Sequence, residues 1–298
     1  MNKNFYHLFA NGDDSRDFIV SESDFLYEFN LVGICTHGSG ASVLSFCIED
    51  SHPHFLLAGL EAQCDSFRRL FETSSLKHIA ATRGSKDDIT LRITMELVDT
   101  DDYLMNVAAY TIIQPTKDGK SVMFYDYKWG TGSMYFRPDC HIPIWMVKND
   151  GAVSCPISFG SLSEREKRAL CGKRSIPDHW LVCNGVILPS NYVDVKGYER
   201  IFRTHNCFRA FCGAGAKQLS VVQDRMIVSA GLYLNDFEAR VKCRETSLEL
   251  FHCSDPRRLS SNDRIALART LRHRFSLSVR QLATVVKLPE REIESYVR

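Results

Sequence analysis

The amino-acid sequence predicts an α+β fold, with an antiparallel sheet and helices packed on one face of it. Strand-like and helix-like hydrophobic patterns follow one another over the first 115 residues in the order β-α-β-β-α-β-α. A mixed segment comes next, and three short helical patterns end the chain. We therefore expect a sheet-containing region, a middle segment and a small all-α region.

The first half of the sheet-containing region begins with an aromatic-rich run at residues 4–10, which predicts a strand that ends at the Asn11-Gly12 turn signal. Apolar residues at helical spacing predict a helix over 22–35. Two apolar runs, 41–48 and 53–58, predict strands, because the polar residues Glu49-Asp50-Ser51 separate them.

The second half has helical spacing of apolar residues over 60–80. Strict alternation over 90–98 predicts a half-buried strand. Acidic residues at Asp99–Asp102 favour the start of a helix that runs to Gln114, where Pro115 is expected to end it.

Three regions are predicted along the chain: residues 1–137 with the sheet, 138–255 as a middle extension without an assigned role, and 256–298 as a helical domain. The helices of the last region are predicted at 261–274, 278–286 and 289–297. Their apolar spacing is typical of a helix-turn-helix unit, with Lys287 where a turn glycine is usual. A helix-turn-helix unit usually binds DNA, but Glu290, Glu292 and Glu294 in the last helix would repel phosphates. The unit is therefore predicted to bind either DNA or another protein.

The composition is that of a globular protein with a sizeable core, since 44% of the 298 residues are hydrophobic and 24% are charged. No apolar run is long enough to span a membrane, and the N-terminus lacks an apolar leader, so we expect a cytoplasmic protein without membrane contact. Eleven cysteines include no Cys-x-x-Cys pair, which favours reduced, buried thiols over disulfides or a zinc site.

The net charge is only +1, but it is unevenly distributed. Residues 241–298 hold 12 lysines and arginines against 7 acidic residues. A local surplus of this kind is typical of a surface that faces phosphates, and a solvated helical face would produce it equally well.

A His52-Pro53-His54 motif stands at the start of the strand predicted over 53–58. Residues i and i+2 of a strand point to the same face, so the two imidazoles would project together and could bind one divalent cation. Short motifs of this kind also arise by chance, so the significance of this one depends on its neighbours.

Tyr110 and Gln114 lie four residues apart in a predicted helix and therefore share a face. A phenol near a cation loses its proton more readily and can act as a nucleophile, and an amide oxygen can add a ligand to the cation. Taken alone, the pair is better explained by a tyrosine packed at a helix end. Together with the two histidines, in this order, it favours a catalytic site.

These motifs resemble those of the single-tyrosine HUH transposases, which include the REP-associated tyrosine transposases. The resemblance lies in the His-x-His motif, followed some 55 residues later by Tyr110-Thr111-Ile112-Ile113-Gln114-Pro115, and it extends over residues 4–136. The segments Phe5-Tyr6-His7-Leu8-Phe9 and Asp126-Tyr127-Lys128-Trp129-Gly130 are similar to segments of that family. Pro53 departs from the family pattern, which usually has a bulky apolar residue there, and Gln114 replaces the usual asparagine.

The resemblance implies a ferredoxin-like HUH endonuclease fold and an enzyme that cleaves and rejoins single-stranded, hairpin-bearing DNA. Tyr110 would be the nucleophile and form a 5′-phosphotyrosine link, while His52, His54 and Gln114 would hold Mg²⁺ or Mn²⁺. A homodimer is a candidate assembly. Several basic side chains are candidates for DNA contacts, and a solvated surface would explain them equally well. They are Arg68, Arg69, Lys77, Arg83, Lys86, Arg264, Arg269, Arg272 and Arg280.

Two other functions are open at this point. Pro53 and the modest net charge are consistent with a catalytically weakened, domesticated DNA-binding protein of the same family. A hydrolase that uses the same histidines to activate water is the third hypothesis.

Overall fold

The computed structural model describes residues 4–10, 18–50, 52–83, 91–137, 156–213, 220–223, 225–226, 236–275, 277 and 279–296. The chain forms two compact units, residues 1–219 and 220–298. None of the helices in these ranges is long and apolar enough to cross a membrane. The Asn11-Gly12 turn and Lys86 lie outside the described residues. The boundary between the units falls inside the 138–255 segment, and the three-region division stays a prediction.

The first unit is built on a four-stranded antiparallel sheet with the spatial order β2-β3-β1-β4. This confirms the predicted α+β class and the antiparallel sheet. Its elements are β1 (Asn4–Ala10), α1 (Glu22–Ser39), β2 (Ser42–Cys47), β3 (His54–Gly59), α2 (Glu61–Arg83), β4 (Ile93–Val98) and α3 (Asp101–Lys117). The central strands are β1 and β3, with Phe9 directly opposite His54.

Helices cover both faces of this sheet. Tyr6 and Leu8 of β1 share a hydrophobic core with α1 and α2. His7 lies between them in sequence and so points to the opposite face, where its ring contacts Tyr110 of α3. The prediction of helices on one face is therefore wrong. Every residue of β3 is buried, and a strand buried on both sides requires cover on both faces.

Helix α3 continues past Gln114 and contains Pro115, so the predicted helix end is also wrong. A proline removes its own N–H and crowds the preceding turn, but it leaves later donors intact. The backbone N–H of Asp118 donates to the carbonyl of Gln114 at 3.0 Å. This last turn brings Asp118 onto the same helical face as Gln114.

The first described part of the middle segment, residues 156–213, belongs to the first unit and packs in part against α1. It contains β5 (Ile157–Ser158), α4 (Glu164–Cys171), β6 (Leu181–Cys183), β7 (Val186–Ile187), α5 (Val195–Phe202) and α6 (His205–Gly213). The amide of Asn30 donates to the carbonyl of Gly185 at 2.8 Å and accepts from the N–H of Ile187 at 2.8 Å. A buried asparagine of α1 thus fixes the β6–β7 hairpin.

Gly33 tests this docking, because a Cβ at that position of α1 would lie 2.8 Å from Cε1 of Tyr192. We expect Gly33→Ala to lower the free energy of unfolding by about 1–3 kcal/mol, since the ring has to shift. Gly38→Ala on the same helix is the matched control, because its Cβ would meet nothing closer than Leu70 at 3.4 Å. Denaturant titration measures both, and equal stabilities would contradict the docking of Tyr192 on α1.

Glu28 of α1 is a buried carboxyl whose Oε2 accepts a hydrogen bond from Ser75 Oγ at 2.6 Å. Burial raises the pKa of Glu28 to about 8. The folded state therefore keeps a proton that the unfolded chain loses above roughly pH 4.3. Stability from this group is complete below that pH and falls by up to about 1.4 kcal/mol per pH unit as the pH rises towards 8.

We expect Glu28→Gln to reduce the loss of unfolding free energy between pH 5 and pH 8, because the substituted amide does not titrate. Denaturant titrations at several pH values measure the slope. Glu61→Gln, which changes an exposed glutamate of α2, is the control and should leave the slope unchanged. An identical slope in Glu28→Gln and the unmodified protein would show that Glu28 is ionised in the folded state.

The second unit is helical, with α7 (Asp236–Phe251), α8 (Ser261–Phe275), α9 (Val279–Val286) and α10 (Glu290–Tyr296). The last three confirm the predicted helices to within a residue, and α7 was not predicted. Their shared core includes Cys243, Leu267, Leu271, Leu282 and Ile293. Lys287 between α9 and α10 has φ of 61°, a left-handed conformation that explains why glycine is usual in such turns.

Candidate metal centre and tyrosine

The two motif histidines lie where the chain enters β3. His52 precedes the strand and His54 is its first residue. Between them, the carbonyl of Pro53 accepts a hydrogen bond from the N–H of Ala10 at 3.2 Å. Because the strand begins only at His54, the missing N–H of Pro53 removes no hydrogen bond from the strand ladder. The unusual proline is thus compatible with a regular strand.

The end of α3 places Gln114 and Tyr110 beside these histidines. Nε2 of His52 lies 3.4 Å from Nε2 of Gln114. The ring centroids of His52 and His54 are 5.2 Å apart, and those of His54 and Tyr110 are 5.4 Å apart. The structure therefore brings together the four residues that the sequence singles out, while their roles stay predictions.

Two carboxylates that the sequence analysis missed belong to the same group. Nε2 of His52 is 3.4 Å from Oδ2 of Asp118 and 3.9 Å from Oε2 of Glu49. One ligand atom from each of these three residues lies within 4.8 Å of the others. A signal was present in the sequence, because Glu49 stands three residues before His52 and Asp118 one helical turn after Gln114. Because the helix was expected to end at Pro115, the position of Asp118 one turn after Gln114 on the same helix was not predicted.

The unsatisfied atoms of this group fit a hard divalent cation. Oε2 of Glu49, Nε2 of His54 and Oε1 of Gln114 are buried and have no hydrogen-bond partner among the described residues. An unpaired buried polar atom costs about 1–3 kcal/mol, and a bound cation would satisfy those of these atoms that it contacts. Carboxylate and amide oxygens suit Mg²⁺ or Mn²⁺, and imidazole nitrogens suit first-row transition ions. An amide NH₂ cannot bind a cation, so binding would favour Gln114 with its oxygen turned towards His52.

The charge states of these side chains also suit the binding of a cation. Burial, together with the neighbouring carboxylate of Asp118, raises the pKa of Glu49 to about 9. Burial lowers the pKa of His52 and of His54, which keeps both imidazoles in the neutral, ligand form. A protonated Glu49 beside neutral histidines would exchange its proton for a cation.

Tyr110 is buried beside this group of side chains, with only 2% of its surface exposed. Nζ of Lys117 lies 4.7 Å from the centroid of its ring. Other tyrosines near it in sequence are engaged elsewhere: the hydroxyl of Tyr103 donates to Oε2 of Glu96 at 3.1 Å, and that of Tyr127 donates to the carbonyl of Ile48 at 2.7 Å. Proximity to His54, with ring centroids 5.4 Å apart, is what marks Tyr110 as the candidate nucleophile.

The cations of α2 are not brought to this site. They lie on the helix that covers the opposite face of the sheet from Tyr110. Arg68 pairs with Asp65 and Glu72 at 2.6 and 2.9 Å, and Arg69 with Asp65 at 2.8 Å. A guanidinium nitrogen of Arg83 donates to the carbonyl of Phe18, and Lys77 is exposed.

In the second unit, three of the candidate arginines donate to backbone carbonyls of their own unit. Arg264 donates to Leu259 and Lys287, Arg269 to Tyr296, and Arg272 to Leu277. These bonds explain the three side chains as helix-joining contacts. Arg280 is exposed on α9. A DNA contact through any of the four stays a prediction.

Comparison with known proteins gives a weak structural likeness. A solved structure of a REP-associated tyrosine transposase bound to a REP hairpin is similar to this chain, with a TM-score of 0.31 and 14% sequence identity. The match covers 44% of this chain and 76% of that one. No protein-family model and no curated protein sequence matches the chain. The residues and geometry of the candidate site are therefore the basis for a functional proposal.

Proposed function

We propose that this chain is a metal-dependent DNA strand-transfer enzyme that cleaves and rejoins single-stranded, hairpin-bearing DNA through Tyr110. One observation carries the proposal. Tyr110 stands beside a group of imidazole, carboxylate and amide ligands, and three buried ligand atoms of this group have no hydrogen-bond partner in the part of the chain that the structure describes. The resemblance of the motifs to the single-tyrosine HUH transposases supplies the class of substrate.

His52, His54 and Gln114 would hold Mg²⁺ or Mn²⁺, and the carboxylates of Glu49 and Asp118 would complete the ligand set. Such a cation, when bound, polarises the scissile phosphate as a Lewis acid. This assignment extends the predicted set by two acidic residues. Their negative charge offsets that of the cation inside a partly buried site, where an uncompensated charge is costly.

The chemistry of the chain itself rests on the phenol. Tyr110 gives up its hydroxyl proton and its oxygen bonds to phosphorus, while the bond between phosphorus and the 3′ oxygen breaks. The 3′ oxygen takes up a proton, which leaves a 3′-hydroxyl and a 5′-phosphotyrosine. Attack by another 3′-hydroxyl reverses the step, so joining requires no ATP. The ammonium of Lys117 lies close enough to the ring to favour a negatively charged oxygen.

Because Tyr110 is enclosed, DNA has to gain access to it. We infer that DNA binding displaces the side chain of Lys117, which borders the ring from the last turn of α3. The same enclosure is the observation that favours the second candidate function, a DNA-binding protein of the same family whose catalysis is weakened. In that case the tyrosine would stay packed and the histidines would serve the fold.

An adduct assay separates these functions. The full chain is incubated with end-labelled single-stranded hairpin DNA and Mn²⁺ and then run on a denaturing gel. A labelled band at the mass of a protein–DNA adduct, absent with EDTA, is expected for the strand-transfer enzyme. DNA retention on a native gel without an adduct would support the binding protein. Nicked DNA without an adduct would support a hydrolase.

A further inference from the structure

His7 of β1 is a buried histidine with no part in the chemistry above. It is fully buried and lies on the α3 face of the sheet, between Leu56 of β3 and Glu96 of β4. Its Nε2 lies 3.3 Å from Nδ1 of His54. The two rings are stacked, with centroids 5.6 Å apart and planes 18° from parallel.

The hydrogen bond between two neutral imidazoles needs one N–H and one lone pair. If His7 donates, His54 carries its proton on Nε2 and has no lone pair left for a cation. If His54 donates from Nδ1, its Nε2 keeps a lone pair. The other ring nitrogen of each histidine, Nδ1 of His7 and Nε2 of His54, is buried and has no hydrogen-bond partner among the described residues. Nothing else in that part of the structure therefore fixes the tautomer of His54.

We propose that His7 is a positioning residue, which accepts the Nδ1–H of His54 and so leaves the Nε2 lone pair of His54 available to a cation. The proposal rests on the proposed function, since His54 is a ligand only in that case. Metal-binding histidines generally donate their second N–H to a fixed acceptor, and loss of that acceptor weakens metal binding by about 10–100-fold. An acceptor imidazole in place of a carboxylate or a carbonyl makes this site unusual.

Three variants of the full chain test the proposal. His7→Phe keeps a ring of similar size and removes the acceptor. His7→Gln keeps an acceptor, because its Oε1 reaches about the position of the histidine Nε2. His78→Phe is the control, since His78 binds Asp24 on the other face of the sheet. Circular dichroism and thermal unfolding show which variants are folded. Mn²⁺ titration by calorimetry gives the affinity, and ¹⁵N spectra of the histidines give the tautomer without metal.

We expect His54 of the unmodified protein to carry its proton on Nδ1. His7→Phe should shift it towards the Nε2–H form and weaken Mn²⁺ binding about 10–100-fold. His7→Gln should restore most of the affinity, and His78→Phe should leave it unchanged.

An Nε2–H tautomer of His54 in the unmodified protein would overturn the proposal, even if His7→Phe failed to fold. Equal affinity of the His7→Phe and unmodified proteins would also overturn it, as would equally weak binding by His7→Gln and His7→Phe. If the tautomer shifts as expected but no protein binds Mn²⁺, the hydrogen-bond assignment holds and the metal-dependent function fails. The two failures are thus distinguishable.

Discussion

Replacement of Tyr110 with phenylalanine should abolish the covalent link between protein and DNA. The variant keeps the ring that packs against His7 and His54, so the fold and the candidate cation site should be retained. It loses the only oxygen that can bond to phosphorus in the proposed step. We expect the adduct to fall by at least about 10³-fold, as when the nucleophile is removed from other enzymes that use covalent catalysis. Mn²⁺ affinity and DNA retention should change by less than about threefold.

The control for Tyr110→Phe is Tyr103→Phe, which changes a tyrosine two helical turns earlier on α3. Its hydroxyl donates to buried Glu96, so this variant should lose about 1 kcal/mol of stability and keep the adduct. Mass spectrometry of the DNA-linked peptide identifies the modified residue directly. Adduct formation that persists in Tyr110→Phe, or a link mapped to another tyrosine, would contradict the assignment.

The motif residues were predictable because their relations are local. Tyr110 and Gln114 are four residues apart on α3, so helix periodicity places them on one face, while His52 and His54 are two residues apart at the start of β3. The meeting of the two pairs depends on α3 covering the β3 face. That arrangement was missed, although the near-continuous apolar run from Phe55 to Ala58 is typical of a strand buried on both sides.

Other relations depend on contacts far apart in sequence. Asn30 binds the hairpin around Gly185, at a separation of 155 residues, and neither residue belongs to a local pattern that predicts the pair. Asp118 lies beyond the helix end that the sequence predicts at Gln114, because a proline such as Pro115 usually ends a helix. His7 appeared only as part of an aromatic strand, and its contact with His54 follows from the pairing register of β1 and β3. Register is set by the whole sheet and not by the motif.

The combined variant Glu49→Gln/Asp118→Asn should change metal binding and metal-free stability in opposite directions. Without a cation, Glu49 keeps its proton in the folded state, because its pKa is raised to about 9 by burial and by Asp118. The unfolded chain loses that proton above roughly pH 4.3, so the metal-free protein loses stability as the pH rises towards 9. The amide side chains of the variant do not titrate, so the variant does not lose stability in this way as the pH rises. We expect the variant to gain about 1–3 kcal/mol of stability at pH 8 without metal.

With Mn²⁺ the variant's advantage in stability should shrink. A ligand that binds only the folded state stabilises it by about 2.7 kcal/mol at a concentration 100 times its Kd. The unmodified protein should show such a rise, and the variant should show little, because it has lost both negative ligands. His52→Ala should also lose the rise, since His52 lies 3.4 Å from both Asp118 and Gln114.

Denaturant titrations at pH 8, with Mn²⁺ and with EDTA, measure the free energy of unfolding of each of these proteins with and without metal. The control variant Glu61→Gln/Asp126→Asn changes two exposed acidic residues of the first unit and removes the same formal charge. It should keep the response to Mn²⁺ and show no gain of stability without metal. An equal response to Mn²⁺ in the Glu49→Gln/Asp118→Asn and unmodified proteins would exclude the two carboxylates as ligands. A gain of metal-free stability without any response of the unmodified protein to Mn²⁺ would mean that Glu49 and Asp118 destabilise the fold with no cation to offset the cost.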